Sequence, residues 1–224
     1  MLDTQFPRPV GDIGNPDTFP FAVEYVCVAG ASPHSVVVEG ADDWTLPFVA
    51  AAKELEASGV DLISTSCGFL AICQQALADA VSVPVVTSSL LEIASLDQSL
   101  GENQRAAVLT IYPPSQTPEL LAAASVPLDT PIFGTDPDSH FNRCILGNSQ
   151  QMDMDQARDD VVDAACRMMG KDGEYIGAIV LECTNMAPYA AAVSAATGVP
   201  VWSINDAVNS VAGTLRLGGS PSST

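Results

Sequence analysis

The feature that most constrains this chain is an internal repeat. The segment Val60-Asp-Leu-Ile-Ser-Thr-Ser-Cys67-Gly-Phe-Leu-Ala pairs with Ile176-Gly-Ala-Ile-Val-Leu-Glu-Cys183-Thr-Asn-Met-Ala. Each reads as an apolar strand that ends in a cysteine and is followed by a helical stretch. Each helical stretch runs to a Val-Pro-Val strand that begins 16 residues beyond its cysteine, at Val83 and at Val199. The cysteines lie 116 residues apart in a chain of 224. Two copies in register imply two half-domains of one design rather than a solenoid, which needs more repeats to cover its ends.

The rest of the chain fits that plan. Short β-branched runs alternate with longer Ala/Leu segments, the pattern of an α/β fold with parallel strands. Predicted strands are Tyr25–Ala29, Val60–Ser64, Val83–Thr87, Ala106–Ile111, Ile176–Leu181 and Val199–Ile204, nearly continuous in apolar residues as doubly covered strands are. Predicted helices are Leu46–Ser58, Phe69–Ala80, Ser89–Leu96, Pro118–Ala123, Met154–Met169, Ala187–Ala196 and Ala207–Leu215, with Gly59, Gly170 and Gly198 as stops. The expected halves are residues 1–104 together with 207–224, and residues 105–206. Each is a small parallel sheet flanked by helices, with the active site in the cleft between them. The Gly/Ser/Pro-rich stretch Gly218–Thr224 reads as a frayed tail. A strand that ends near Asp3-Thr4 is either very short or starts upstream of Met1.

Charge excludes several partner classes. Asp and Glu number 27 against 8 Lys and Arg, a formal net charge of −19. Nucleic acid requires clustered cations to displace counterions, and anionic membrane surfaces attract basic segments, so neither is an expected partner. No run approaches the ~18 apolar residues of a membrane span, and the start lacks the basic and apolar regions of a signal peptide. Apolar residues make up 47% of the chain, ample for a buried core. The six cysteines are therefore read as reduced thiols in a cytoplasmic protein rather than as disulfides. No Cys-x-x-Cys occurs, and His34 and His140 complete no familiar zinc set, so no metal is expected.

Cys67 and Cys183 stand at carboxyl ends of parallel strands, where ligands of open α/β sheets bind, and each precedes a helix whose N-terminal amides favour thiolate. A small molecule between two such thiols can lose a proton to one sulfur and regain it from the other. The duplicated halves and the two cysteine segments resemble the aspartate/glutamate racemase superfamily, which includes hydantoin racemases, maleate isomerases and arylmalonate decarboxylases. The resemblance implies that Cys67 and Cys183 are the acid and base and that no cofactor is used. Asp3-Thr4 resembles the family's Asp-plus-hydroxyl after the first strand, and Cys183-Thr184 its Cys-Thr start to the second helix. Two departures stand out: Cys67-Gly68-Phe69 replaces the usual Cys-Asn-Thr, and Asn185 replaces the usual His.

The expected substrate-binding set is accordingly Asp3, Thr4, Ser66, Gly68, Phe69, Thr110, Thr184 and Asn185, with Arg8 as the nearby cation. Thr184 and Asn185 read equally as helix caps, Thr110 as a packed strand end, and Thr87 and Ser88 as turn residues. Glu182 reads either as a group that raises its neighbour's thiol pKa or as a solvated side chain. Cys27, Cys73, Cys144 and Cys166 read as small buried hydrophobes, His34 and His140 as surface or loop residues, and Asp153–Asp163 as a solvated helix face. The implied activity is racemisation of an amino acid or related small carboxylic acid, in a homodimer or higher oligomer. Maleate-type isomerisation, arylmalonate-type decarboxylation and a two-lobed small-molecule binding protein are the alternatives.

Overall fold

The computed structural model describes residues 1–216; the stretch Gly218–Thr224, expected to fray, lies outside them. The chain is an α/β fold with two parallel sheets. The first contains β1 (Ile63–Ser64) and β2 (Val85–Val86). The second contains β3 (Arg105–Thr110), β4 (Ile132–Gly134), β5 (Ile176–Leu181) and β6 (Val201–Trp202), in the order β4-β3-β5-β6. All six residues of β5, and all of β3 except Arg105, are buried, as expected of central strands with helices on both faces.

The helices are α1 (Thr45–Ser58), α2 (Gln74–Ala80), α3 (Ile93–Ser99), α4 (Pro118–Ala123), α5 (His140–Leu146), α6 (Met154–Asp172), α7 (Ala190–Thr197) and α8 (Ile204–Thr214). Gly59 and Gly198 end α1 and α7 in the left-handed region, at φ 93° and 76°, a conformation that costs glycine nothing. Gly170 is not a stop. It lies inside α6, whose long polar face carries it on to Asp172. Asp153 caps α6 by accepting from the amides of Asp155 and Gln156. Among the described residues no helix is long and apolar enough to cross a membrane.

The sequence pattern overstates the strands of the first half. Of the expected Tyr25–Ala29 strand only a parallel bridge remains, Val28 with Leu2. Val28 donates its amide to Met1 O at 3.0 Å and Asp3 to Ala31 O at 3.0 Å. Behind Met1 the extended chain 22–26 and the segment 59–66 stand apart, forming the walls of a cavity of about 340 Å³ with Ile13, Phe19 and Val208 among its lining. Two elements absent from the sequence reading, β4 and α5, complete the second half. β4 has only three residues, and α5 opens with His-Phe-Asn, too short a run to show a helical period.

One hydrophobic core runs through both halves, from Leu2, Phe48 and Leu70 to Val108, Phe141 and Leu181. A smaller cluster joins α8, through Ile204, Ala207 and Val208, to Ile13, Phe19 and Val86. A capping box fixes the start of α8: Asp206 accepts from both the amide and the hydroxyl of Ser203.

Candidate active site

The repeat is built twice in the same way. After β1 the chain passes through Thr65 and Ser66 to Cys67, then a six-residue 3-10 helix, Gly68–Cys73, and α2. After β5 it passes through Glu182 to Cys183, then a six-residue 3-10 helix, Thr184–Tyr189, and α7. Each cysteine is the extended residue at the N-cap of its 3-10 helix, with φ/ψ of −155/120° and −69/119°.

Hydrogen bonds lock these junctions to each other. Thr184 donates to Ser66 O at 2.8 Å, Ser89 to Leu181 O at 2.7 Å, and the Leu2 amide to Ser66 Oγ at 3.0 Å. Thr65 donates to Thr87 O at 2.7 Å and to Cys67 O at 3.0 Å, and Gln74 accepts from both the amide and the hydroxyl of Thr87. Thr87 is thereby tied into the scaffold, and Ser88 caps the turn into α3 by accepting from the Leu90 amide.

Cys67 and Cys183 line one narrow crevice of about 20 Å³ together with Phe6, Ser66, Gly68, Phe69, Thr184 and Asn185. Both cysteines are buried, each only 6% exposed as a residue. The wider cavity behind Met1 contains neither cysteine.

A polar chain leads from Cys183 to the loop that carries Arg8 and Asp12. The Cys183 thiol donates toward Asn185 Oδ1 at 3.7 Å, and Asn185 Nδ2 donates to Asp12 Oδ2 at 2.8 Å. Asp12 Oδ1 pairs with Arg8 Nη1 at 2.6 Å, and Arg8 Nη2 donates to Thr4 Oγ1 at 2.9 Å. Asp12 is 1% exposed. The Arg8 guanidinium also lies over the Phe6 ring, 4.8 Å from its centroid. Asn185 thus links the second half to the loop that carries Arg8 and Asp12.

Burial dominates the electrostatics. It pushes the Cys67 thiol up to about 12, with the Glu182 carboxyl adding to the rise and the amides of Phe69 and Leu70 opposing it. Cys183 is raised well above the ordinary thiol range by burial and then by Glu182. Glu182 is itself fully buried, and burial lifts its carboxyl to about 8 against the pull of the Thr110 hydroxyl, which donates to Oε2 at 2.6 Å. The solvated alternative for Glu182 is therefore excluded.

The expected binding residues divide into two groups. Ser66, Gly68, Phe69, Thr184 and Asn185 line the crevice with both cysteines. Asp3, Thr4 and Thr110 do not: Asp3 accepts from the Gly30 amide at 3.1 Å, Thr4 holds Arg8, and Thr110 holds Glu182. The sequence reading missed Asp12, whose only signal was its place in the loop with Arg8. It also missed Phe6, Pro33, Val37, Ile111 and Ile145, apolar wall residues from four separate segments that no local pattern marks.

Cys73 and Cys144 are buried, but Cys27 and Cys166 are exposed, a correction to their reading as buried hydrophobes. Cys166 falls on the outer side of α6, and the missing strand around Val28 leaves Cys27 uncovered. His140 is also more than a surface residue: its Nε2 accepts from the Asp153 amide at 2.8 Å and joins α5 to the start of α6. Among the described residues no three His, Cys, Asp or Glu side chains form a group that could hold a metal ion.

A sequence profile described as Asp/Glu/hydantoin racemase matches residues 21–211. Dimethylsulfoniopropionate lyase 7 of Emiliania huxleyi is 29% identical over 228 residues, covering 93% of this chain and 64% of that protein. A dimethylsulfoniopropionate lyase of Durusdinium sp. clade D is 28% identical over 210 residues, covering 90% of this chain and 68% of its own. The chain thus spans under two thirds of the Emiliania relative's length. Unliganded arylmalonate decarboxylase superposes with a TM-score of 0.55 at 20% identity, over 87% of this chain and 81% of its own. Picrophilus torridus aspartate racemase superposes with a TM-score of 0.55 at 14% identity, over 88% and 81%. At those identities the two structures share the fold.

Proposed function

This chain belongs to the Asp/Glu/hydantoin racemase family, and we propose that it moves a proton at the carbon next to a carboxylate of a small acid, using Cys67 and Cys183 and no cofactor. The observation that carries this reading is the placing of both repeat cysteines on one crevice. One thiolate takes the α-proton; the electron pair delocalises into the carboxylate as an enediolate. The other thiol returns a proton to the opposite face, which inverts the centre. Ser66, Gly68, Phe69, Thr184 and Asn185 surround the reacting carbon, with hydroxyl, amide and backbone donors to meet the developing oxyanion. Arg8 is paired with Asp12, which in turn holds Asn185 at the crevice, so the pair fixes the wall of the site rather than supplying a free cation.

A second reading is favoured by the resemblance to dimethylsulfoniopropionate lyases over 93% of the chain. There the first step is the same. When the substrate carries a sulfonium on its β-carbon, the pair left by the α-proton forms the Cα=Cβ bond. The Cβ–S bond then breaks with its electrons on sulfur, which leaves as a neutral sulfide, and the thiol keeps the proton. One thiol suffices for that chemistry.

Proton NMR in D₂O tests both readings together, with small chiral acids and dimethylsulfoniopropionate as substrates and with C67S and C183S beside the unaltered protein. Exchange of the α-proton with loss of optical purity supports racemisation, and release of dimethyl sulfide supports elimination. Ligand binding untouched by either variant, with neither exchange nor sulfide release, returns the chain to the class of binding proteins.

A further inference from the structure

Glu182 is a buried acid that the proposed proton transfer does not use. Its side chain is fully enclosed, Oε2 has the Thr110 hydroxyl as donor at 2.6 Å, and Oε1 has no partner. Its position ties the two thiols together. Glu182 precedes Cys183 in the chain, and its Oε1 lies 2.4 Å from the point where a side chain on Gly68 would begin, the residue that follows Cys67. The carboxyl is therefore wedged between the two cysteine junctions.

The groups that pack around it leave little to balance a charge. β3 offers Thr110, backed by Gln116, whose Nε2 donates to Thr110 Oγ1 at 3.3 Å and whose Oε1 also lacks a partner. The 3-10 helix after Cys67 offers Gly68 and apolar residues, with Cys73 turned toward Thr45 at 3.3 Å. The remaining titratable neighbours are Cys67 and Cys183, with Arg8 acting on the first and Asp12 on the second from the loop outside. Three buried acids thus lie in one low-dielectric space, and Arg8 there is already paired with Asp12. Neighbouring acids in such a space do not ionise independently: the first to lose its proton holds back the others.

We propose that Glu182 is the positioning residue of the thiol pair: the three acids ionise as one set, and the state of the carboxyl decides how readily either sulfur gives up its proton. The proposal rests on the reading of Cys67 and Cys183 as the reacting pair. With its proton on, Glu182 leaves a thiol free to ionise; with its proton off, it holds both sulfurs as thiols.

The test is a thiolate titration of the free protein by ultraviolet absorbance, in the unaltered chain and in E182Q. The signal of the pair is isolated by subtracting the same protein with C67S and C183S. The expected result is that the pair ionises at least about one pH unit lower in E182Q, about ten times more thiolate at a fixed pH. A titration that stays in place, or moves up, overturns the proposal. Should E182Q fail to fold, as judged by circular dichroism, E182L removes the same charge and carries the same expectation. Turnover is not part of this readout. A shifted titration without any α-proton exchange or elimination rejects the two-thiol chemistry alone; an unshifted one in a protein that needs both cysteines rejects the role of Glu182 alone.

Discussion

Asn185 joins Cys183 to Asp12: its amide nitrogen donates to the Asp12 carboxylate at 2.8 Å, and its oxygen faces the Cys183 sulfur at 3.7 Å. Asp12 and Asn185 are 173 residues apart, so the loop that carries Arg8 is anchored on the second half of the fold. The histidine common at this position in glutamate racemases has been replaced by a group that cannot titrate.

If both thiols take part, C67S and C183S are each expected to lower turnover by about 10²–10⁴-fold, the usual scale of a lost acid or base. If inversion is the reaction, each variant retains α-proton exchange with one enantiomer only, read by NMR in D₂O. If elimination is the reaction, one variant retains sulfide release.

Arg8 and Asp12 form an ion pair whose side chains are only 10% and 2% exposed. R8M removes the cation and leaves a buried carboxylate, a loss on the order of 3 kcal/mol in a urea titration. R8M combined with D12N is expected to recover part of that loss, because no uncompensated charge remains.

G68A is expected to destabilise the fold. A methyl there would stand 2.1 Å from Glu182 O and 2.4 Å from Glu182 Oε1, and overpacking of this kind costs roughly 1–3 kcal/mol or more. Adding E182A relieves the contact with Oε1 but not the one with the backbone oxygen. Thermal melts of the double variant should therefore remain below those of E182A alone.

Stability should decline with rising pH because of Glu182. Its folded-state carboxyl is raised from 4.5 to about 8, so between these values the folded chain keeps a proton that the unfolded chain releases. The stabilisation is complete below pH 4.5 and is lost as the pH rises toward 8. The difference in melting temperature between the protein and E182Q, followed from pH 4 to 9, isolates this effect. It should move steadily in favour of E182Q as the pH rises.

Much of this was legible in the sequence. The spacing of Cys67 and Cys183 from their Val-Pro-Val strands located the sheet edge, because a strand, a junction and a helix of fixed length leave the junction little freedom. β5 and α4 fall on their predicted bounds, and Gly59 and Gly198 end their helices as read. The first half was less legible. A run such as Val60–Ser64 marks a strand but fixes neither how much of it is buried nor how many of its residues find a hydrogen-bonded neighbour: of these five only Ile63 is buried, and β1 and β2 keep two residues each. Glu182 was ambiguous because a lone acid beside a cysteine carries no mark of burial; the wall that encloses it comes from Thr110 and Gly68, 72 and 114 positions away. Asp12 was missed for the same reason, since its partner Asn185 is distant in the chain.

Gly68 sets a dimension. The atom nearest to its absent side chain is the backbone oxygen of Glu182, which no substitution at position 182 can remove. A lineage that acquires a side chain at 68 must push back the end of β5, and Cys183 travels with it. The approach of the Cys67 junction to the Cys183 junction is thus gauged by a missing methyl group. Family members with asparagine after the first cysteine are expected to hold their thiols on a different spacing, and a change of reaction on this scaffold can begin with one residue that carries no side chain at all.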